Sequence, residues 1–178
     1  MRKISKVRRQ LDRGITETLV NTLVTSRLDY CNSLLSALPK KTMKKLQYVQ
    51  NAAARTVMLA GKREHVTPLL KQLHWLPISF RCDFKVLVMA FKVLNNSAPS
   101  NISNLVTEYV PPRRLRSANQ RLLTPNGIPR NSYGKRAFIN NAVSLWNDLP
   151  PAIRKLNSLC EFKAKLKTHY FCLHYGPN

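Results

Sequence analysis

Near the carboxy end, His169, Cys172 and His174 stand close enough in sequence to offer nitrogen and sulfur ligands to a metal ion. No CxxC pair or second ligand set accompanies them, so they read more simply as the polar end of a helix, and no metal is expected. Asp29, beside Tyr30, is the best-placed single carboxylate. In an amphipathic helix next to Arg27 it is expected to make an ion pair or a local hydrogen bond rather than acid–base chemistry. His74 precedes Trp75 in an apolar turn, where a satisfied core or capping histidine is the ordinary outcome. The sequence holds no Gly-rich phosphate loop, no HExxH and no adjacent acidic pair able to hold two metal ions. Its 8 acidic residues are all isolated, leaving little from which to build a general acid and base. No catalytic residue and no cofactor are expected.

The cations carry the stronger signal. Lys and Arg total 30 against those 8 carboxylates, a formal net charge of +22 in 178 residues. A surplus of this size repels itself in a compact chain and is best accounted for by a polyanion held against it. The expected phosphate-contacting residues are Lys40, Lys41, Lys44, Lys45 and Arg55 in the first half, Arg113, Arg114 and Arg116 in a Pro-rich stretch, and Lys135, Arg136, Lys163 and Lys167 towards the end. Arg121 and Arg130 extend the Pro-rich cluster. One lysine run alone would be an ordinary solvated face; recurrence in nearly every segment, with few counter-charges, weakens that reading. Tyr30, Tyr48, Tyr133 and Trp75 could stack on bases, but aromatic residues at helical spacing are more often core, and no stacking site is assigned.

No apolar run approaches the roughly 20 residues of a membrane span, and the basic opening lacks the apolar core of a signal peptide. An intracellular protein, nuclear or cytoplasmic, with no membrane partner is therefore expected. Cys31, Cys82, Cys160 and Cys172 are widely scattered, three of them on apolar helical faces, which predicts reduced, buried thiols rather than a disulfide framework.

These residues must be positioned by helices. The most apolar window, residues 73–94, places Phe80, Phe84, Leu87, Phe91 and Leu94 at helical spacing, widened by Val86, Val88, Ala90 and Val93. It predicts a central buried helix capped by Ser79, with Asp83 in its first turn and a stop at Asn95-Asn96. Before it, Ile15, Leu19, Leu23, Leu28, Cys31, Leu35 and Leu38 predict one helix ended by Pro39. A second helix is predicted from Thr42 to about Leu59, with Met43, Leu46, Val49, Ala53 and Val57 inward and Gly61 closing it in the left-handed conformation. Thr67-Pro68 starts a short third helix, and Ile102, Leu105 and Val106 mark another. Between Pro111 and Tyr133 the prolines break any helical register, leaving one brief extended piece at Leu122-Leu123. Helix returns with Phe138, Ala142, Leu145, Trp146 and Leu149 inward, and Ser158 with Glu161 forms a capping-box pattern ahead of Phe162, Leu166 and Tyr170.

Several of these blocks, in this order, resemble a known family. Ser26 to Leu35, Leu46 to Arg55, Leu73 to Ile78, Phe84 to Leu94, Tyr133 to Phe138, Leu145 to Pro150 and Phe162 to His169 are similar to the carboxy-terminal part of the reverse transcriptase polyprotein of non-LTR retrotransposons, the long interspersed elements of animals. The likeness spans about Ile15 to Phe171. It implies the helical thumb and the region after it, not the palm. The family's catalytic aspartate pair and endonuclease residues have no counterpart in this sequence. Copies in that family are often truncated at their beginning, so a short frame opening at Met1 fits a genomic remnant. The resemblance implies a grip on template RNA and primer DNA, and the rest of a reverse transcriptase as a partner.

The expectation is an all-α protein, an irregular helical bundle around the central helix, with a Pro/Arg-rich connection and room for one short extended hairpin. Its organisation is expected as a basic arm or truncated end over 1–14, a thumb-like lobe over 15–110, the connection over 111–133, a helical segment over 134–172 and a tail over 173–178. The expected function is non-catalytic, sequence-tolerant binding of RNA or DNA through phosphate contacts. The alternative is an inactive remnant, or a host-retained protein-interaction module.

Overall fold

The structure, a computed structural model, describes residues 2–36, 38–103, 105–111, 113, 120–124 and 137–176. Helices carry it, as the periodicity predicts. In chain order they are α1 (Arg2–Val7), α2 (Arg13–Val20), α3 (Ser26–Asp29), α4 (Lys40–Met58), α5 (Val66–Gln72), α6 (Ile78–Leu94), α7 (Ser100–Ser103), α8 (Phe138–Asn147), α9 (Pro151–Arg154) and α10 (Leu159–Tyr175). Among the described residues the extended structure is an isolated antiparallel bridge between Glu108 and Leu123, at the place where the Leu122-Leu123 piece is predicted. The chain divides into two compact units, Met1–Cys82 and Asp83–Asn178. The division falls inside α6, not in the Pro/Arg-rich stretch.

In the first unit, the opening residues are helical. Ile4 and Arg8 are buried, so this segment is packed and is not an exposed arm. The predicted helix from Ile15 to Leu38 is broken: α2 widens into a π-helical stretch over Asn21–Thr25, and α3 ends at Asp29. Thr18, Thr22 and Ser26 each follow a carbonyl four residues back, and their hydroxyls donate to Gly14, Thr18 and Thr22, a competition with the backbone ladder that loosens and bends a helix. Cys31 then takes a left-handed conformation (φ 50°) before a 3-10 turn over Asn32–Leu35. The buried face is also rotated from the expected one. Thr16 and Val20 are fully buried while Ile15 and Leu23 are exposed, because the Thr16 hydroxyl is satisfied by the Asp12 carbonyl at 2.8 Å and can enter the core.

Helix α4 starts at Lys40, directly after an extended Pro39, two residues ahead of the expected Thr42 cap. Gln50, Ala53, Ala54 and Val57 form its buried face, whereas Val49 is exposed. Gln50 is drawn inward because its Nε2 donates to the Leu76 carbonyl at 2.9 Å. Gln47 Oε1 accepts from the Ile78 amide at 2.9 Å, satisfying a donor that the first turn of α6 leaves free. With that amide occupied, α6 opens at Ile78; Ser79 lies within it, and Asp83 falls beyond its first turn.

Helices α4, α5 and α6 each stop on a left-handed residue that is not glycine. The backbone pairs Leu59→Thr56 and Ala60→Arg55 close α4, His74→Lys71 and Trp75→Leu70 close α5, and Asn96→Val93 and Ser97→Lys92 close α6. Each is a Schellman motif, with Leu59 (φ 53°), His74 (φ 53°) and Asn96 (φ 51°) in the strained position. Gly61, expected to close α4, does not take a positive φ. The expected stop at Asn95-Asn96 is where α6 ends.

The second unit is built around the rest of α6, whose Val86, Leu87, Ala90 and Phe91 are almost wholly buried. Phe91 stacks on Phe162 of α10 with ring centroids 4.4 Å apart, and Trp146 of α8 lies 5.7 Å from Phe162 on its own side. The Trp146 Nε1 donates to the Arg121 carbonyl at 2.8 Å. Ser158 occupies the cap position of α10, but its side chain makes no capping hydrogen bond, so the predicted capping box is not formed. Phe162, Leu166 and Tyr170 are buried and Lys163, Lys165 and Lys167 exposed, as the α10 pattern predicts.

Candidate nucleic-acid interface

Lys40, Lys41, Lys44 and Lys45 are all exposed on the first two turns of α4. At about 100° per residue they occupy one arc of roughly 140°, and Tyr48, Ala52, Arg55 and Leu59 continue the same arc along the helix. The buried Gln50, Ala53, Ala54 and Val57 lie opposite. The rise of 1.5 Å per residue separates Lys40 from Arg55 by about 22 Å, so the strip has a cationic cluster at each end. Tyr48 is 59% exposed, and Lys44 Nζ lies 5.9 Å from its ring centroid. Tyr30 is also exposed, at 79%, so these two tyrosines are surface groups; Trp75 is core. Tyr133 lies outside the described residues.

The lysine cluster sits at the wrong end of its helix. The amino terminus carries the positive pole of the helix dipole, and no acidic residue stands in the first turn of α4. Lys40 and Lys41 at that pole destabilise the isolated helix, Lys44 and Lys45 add mutual repulsion one turn on, and an anion bound there relieves both terms.

At the carboxy end of the strip, Ser5, Lys6, Arg8, Arg9, Ala52, Arg55, Thr56, Leu59, Ala60 and Lys62 line an open groove of about 590 Å³. Arg8 is engaged in the fold. Its Nε donates to the Thr56 carbonyl at 3.0 Å, its Nη2 to Val57 at 2.8 Å and its Nη1 to Leu11 at 2.7 Å. Arg55 donates through Nη2 to the Glu64 carbonyl at 2.9 Å, fastening the loop after α4. Lys6, Arg9 and Lys62 are exposed. Sequence reasoning misses them because the opening residues read as an unpacked arm; the Lys6-Val-Arg-Arg run is the available signal.

Elsewhere the expected cations are dispersed. Lys163 and Lys167 lie one turn apart on the exposed side of α10, and Arg113 is exposed. Arg114, Arg116, Lys135 and Arg136 lie outside the described residues, as does Arg130. Arg121, expected as part of a phosphate-contacting cluster, is turned to the protein: it donates to the Leu156 carbonyl at 3.2 Å and to Asn95 Oδ1 at 2.9 Å. Arg154 is 3% exposed, and desolvation by burial lowers its pKa.

Asp29 does form an ion pair, but with Arg81 rather than Arg27, and also accepts from Asn32 Nδ2 at 3.1 Å. His74 is exposed, not core, because the left-handed turn closing α5 points it outward. Only Cys82 of the four thiols is buried; Cys31, Cys160 and Cys172 are exposed, and none of the four is in a disulfide. Cys160 and Cys172 fall on the solvent side of α10, away from the face holding Phe162 and Leu166. Among the described residues no three His, Cys, Asp or Glu side chains cluster as metal ligands. No helix among them is long and apolar enough to cross a membrane. Asp12 caps α2, and the Gly14 and Arg13 amides, with the nearby Arg8 charge, hold its carboxyl below the usual range.

No family model, curated protein or solved structure matches the chain.

Proposed function

We propose that the chain is a non-catalytic, sequence-tolerant nucleic-acid-binding protein that holds RNA or DNA by its phosphates, acting within the cell. The observation that carries this is the exposed four-lysine cluster on the first two turns of α4, beginning at the positive pole, with no acidic residue in the first turn. The resemblance of the ordered sequence blocks to the thumb and post-thumb region of a retrotransposon reverse transcriptase supports the same reading. On it, the chain contributes grip and no chemistry, and a template–primer polymerase assay yields no incorporation.

The test is fluorescence anisotropy with labelled duplex DNA over a range of salt. The logarithm of the binding constant falls with log salt by about 0.9 per phosphate neutralised. Replacing Lys40, Lys41, Lys44 and Lys45 by Ala flattens that slope by about 0.9 for each phosphate set free. A salt-independent affinity, or a slope that the four replacements leave unchanged, overturns the reading.

A second reading is favoured by a separate observation. Ile15, Leu23, Tyr30 and Leu34 in the first unit are exposed apolar side chains, from 49% to 79% accessible. A protein-interaction module would use such groups. Self-association in sedimentation, without affinity for any polyanion, would select it.

A further inference from the structure

The groove at the carboxy end of α4 differs in kind from the lysine cluster at its start. A helix normally ends in free carbonyls that repel phosphate. Here Arg8 covers the Thr56 and Val57 carbonyls, and the Ala60 amide takes that of Arg55. The negative pole is thus neutralised from within the fold. Lys6, Arg9 and Lys62 remain as exposed cations of the lining, Arg55 adds its charge while its guanidinium donates to the Glu64 carbonyl, and none of the described lining residues is acidic. The apolar part of the lining is small, made of Ala52, Leu59 and Ala60, with Leu59 60% exposed, and this open apolar surface is termed the floor.

We propose that this groove is a single-strand nucleic-acid site, in which the exposed cations hold phosphates while the apolar floor receives an unpaired base. A duplex offers phosphates but keeps its base faces stacked, so it cannot use the floor; a single strand uses both parts. An anionic membrane fits poorly, because membrane-surface binding uses a continuous apolar helix face, whereas here Leu59 is the one large apolar side chain among the described lining residues. The inference rests on the proposed nucleic-acid binding, and the two fail separately.

The experiment measures anisotropy of the full chain with a short labelled homopyrimidine single strand and with a duplex of the same length. One variant combines Lys6→Ala, Arg9→Ala and Lys62→Ala; a second, Ala52→Glu, places a negative charge on the apolar part of the lining and leaves Lys6, Arg9 and Lys62 in place. Far-UV circular dichroism compares both with the parent, and the four-lysine variant of α4 is the reference. The expected result is a loss of about tenfold or more for the single strand in both groove variants, larger than the loss for the duplex. The triple variant also flattens the single-strand salt slope by about 2, or about 0.7 per phosphate neutralised. Unchanged single-strand binding in variants that keep their helicity, while the four-lysine variant weakens binding, overturns the groove and leaves the broader reading standing. Equal losses for strand and duplex also overturn it, since the floor then has no part. If neither the strand nor the duplex binds while polyglutamate or phosphatidylserine vesicles do, both readings fall.

Discussion

Asn147 pairs with both backbone groups of Leu123: its Oδ1 accepts from the Leu123 amide at 2.9 Å and its Nδ2 donates to the Leu123 carbonyl at 3.1 Å. On its other edge the segment is held by Tyr109→Leu122 and Thr124→Thr107 backbone bonds. Leu123 thus sits at a position whose own polar groups point away from its strand partner, and the Asn147 amide stands in for a third strand. Leu123 is 1% exposed, so neither group has water to fall back on. Asn147→Ala is expected to cost about 2–4 kcal/mol, and Asn147→Asp, which keeps an acceptor and loses the donor, to leave the Leu123 carbonyl unpaired. Urea denaturation followed by tryptophan fluorescence checks both, through Trp146.

Arg8 and Arg9 are neighbours with opposite duties. Arg8→Met strips three carbonyl partners of a charged donor in a buried setting and is expected to destabilise by about 3 kcal/mol. Arg9→Ala should leave stability within about 0.5 kcal/mol of the parent. Thermal melts of the two variants, run together, test the assignment; equal losses would refute it.

Leu59→Gly relieves a left-handed Cβ and is expected to raise stability by about 0.5–1 kcal/mol even after the entropy that glycine adds to the unfolded chain. His74→Gly should act in the same direction. Asn96→Gly should gain least, since Asn tolerates this conformation best of the three. Differential scanning calorimetry ranks them.

Stability and binding should trade against each other at the start of α4. Lys41→Glu replaces an unfavourable charge at the positive pole by a favourable one and is expected to stabilise by about 0.5–1 kcal/mol while weakening nucleic-acid affinity. A melt and a titration on the same sample check the pair of outcomes; a variant that is both more stable and tighter-binding would contradict the proposed role of this cluster.

Burial raises the Tyr175 phenol to about 12, and burial, followed by the Asp83 and Asp148 charges, pushes Tyr170 well above its ordinary range. Both groups hold their protons more tightly folded than unfolded. Their contribution is therefore complete below pH of about 10 and is lost as pH rises through the folded values. Denaturation midpoints at pH 9 and pH 11 should show this alkaline loss, and Tyr170→Phe and Tyr175→Phe should each diminish it.

What the sequence discloses follows from how local each signal is. The stripe from Val86 to Phe91 and the alternation of Phe162 and Leu166 with Lys163 and Lys167 depend on neighbours within two turns, and α6 and α10 form where those patterns lie. The extended piece at Leu122-Leu123 stands out because prolines exclude helix around it. Expectation and structure part where a distant group decides. Gln47 supplies the cap for α6 from 31 residues away, so the local candidate Ser79 is not used. Thr16 is core because its hydroxyl is satisfied by Asp12, and Val49 is exposed because Gln50 reaches Leu76. At the interface, the exposed lysines of α4 are legible as a run. The groove is not, since Lys6 and Lys62 line one surface only after α1 packs on the end of α4, and Arg121 cannot be told from a solvent-facing arginine until its partners at Leu156 and Asn95 are known.

Because α6 passes unbroken from Ile78 to Leu94 across the Cys82–Asp83 division, severing the chain there would split one rod into two stubs. The short stub keeps only Ile78–Cys82, barely more than one turn, too little to nucleate a helix unaided. Anyone dissecting this protein should let both pieces carry the whole rod, overlapping by its length, and judge each half only in that form.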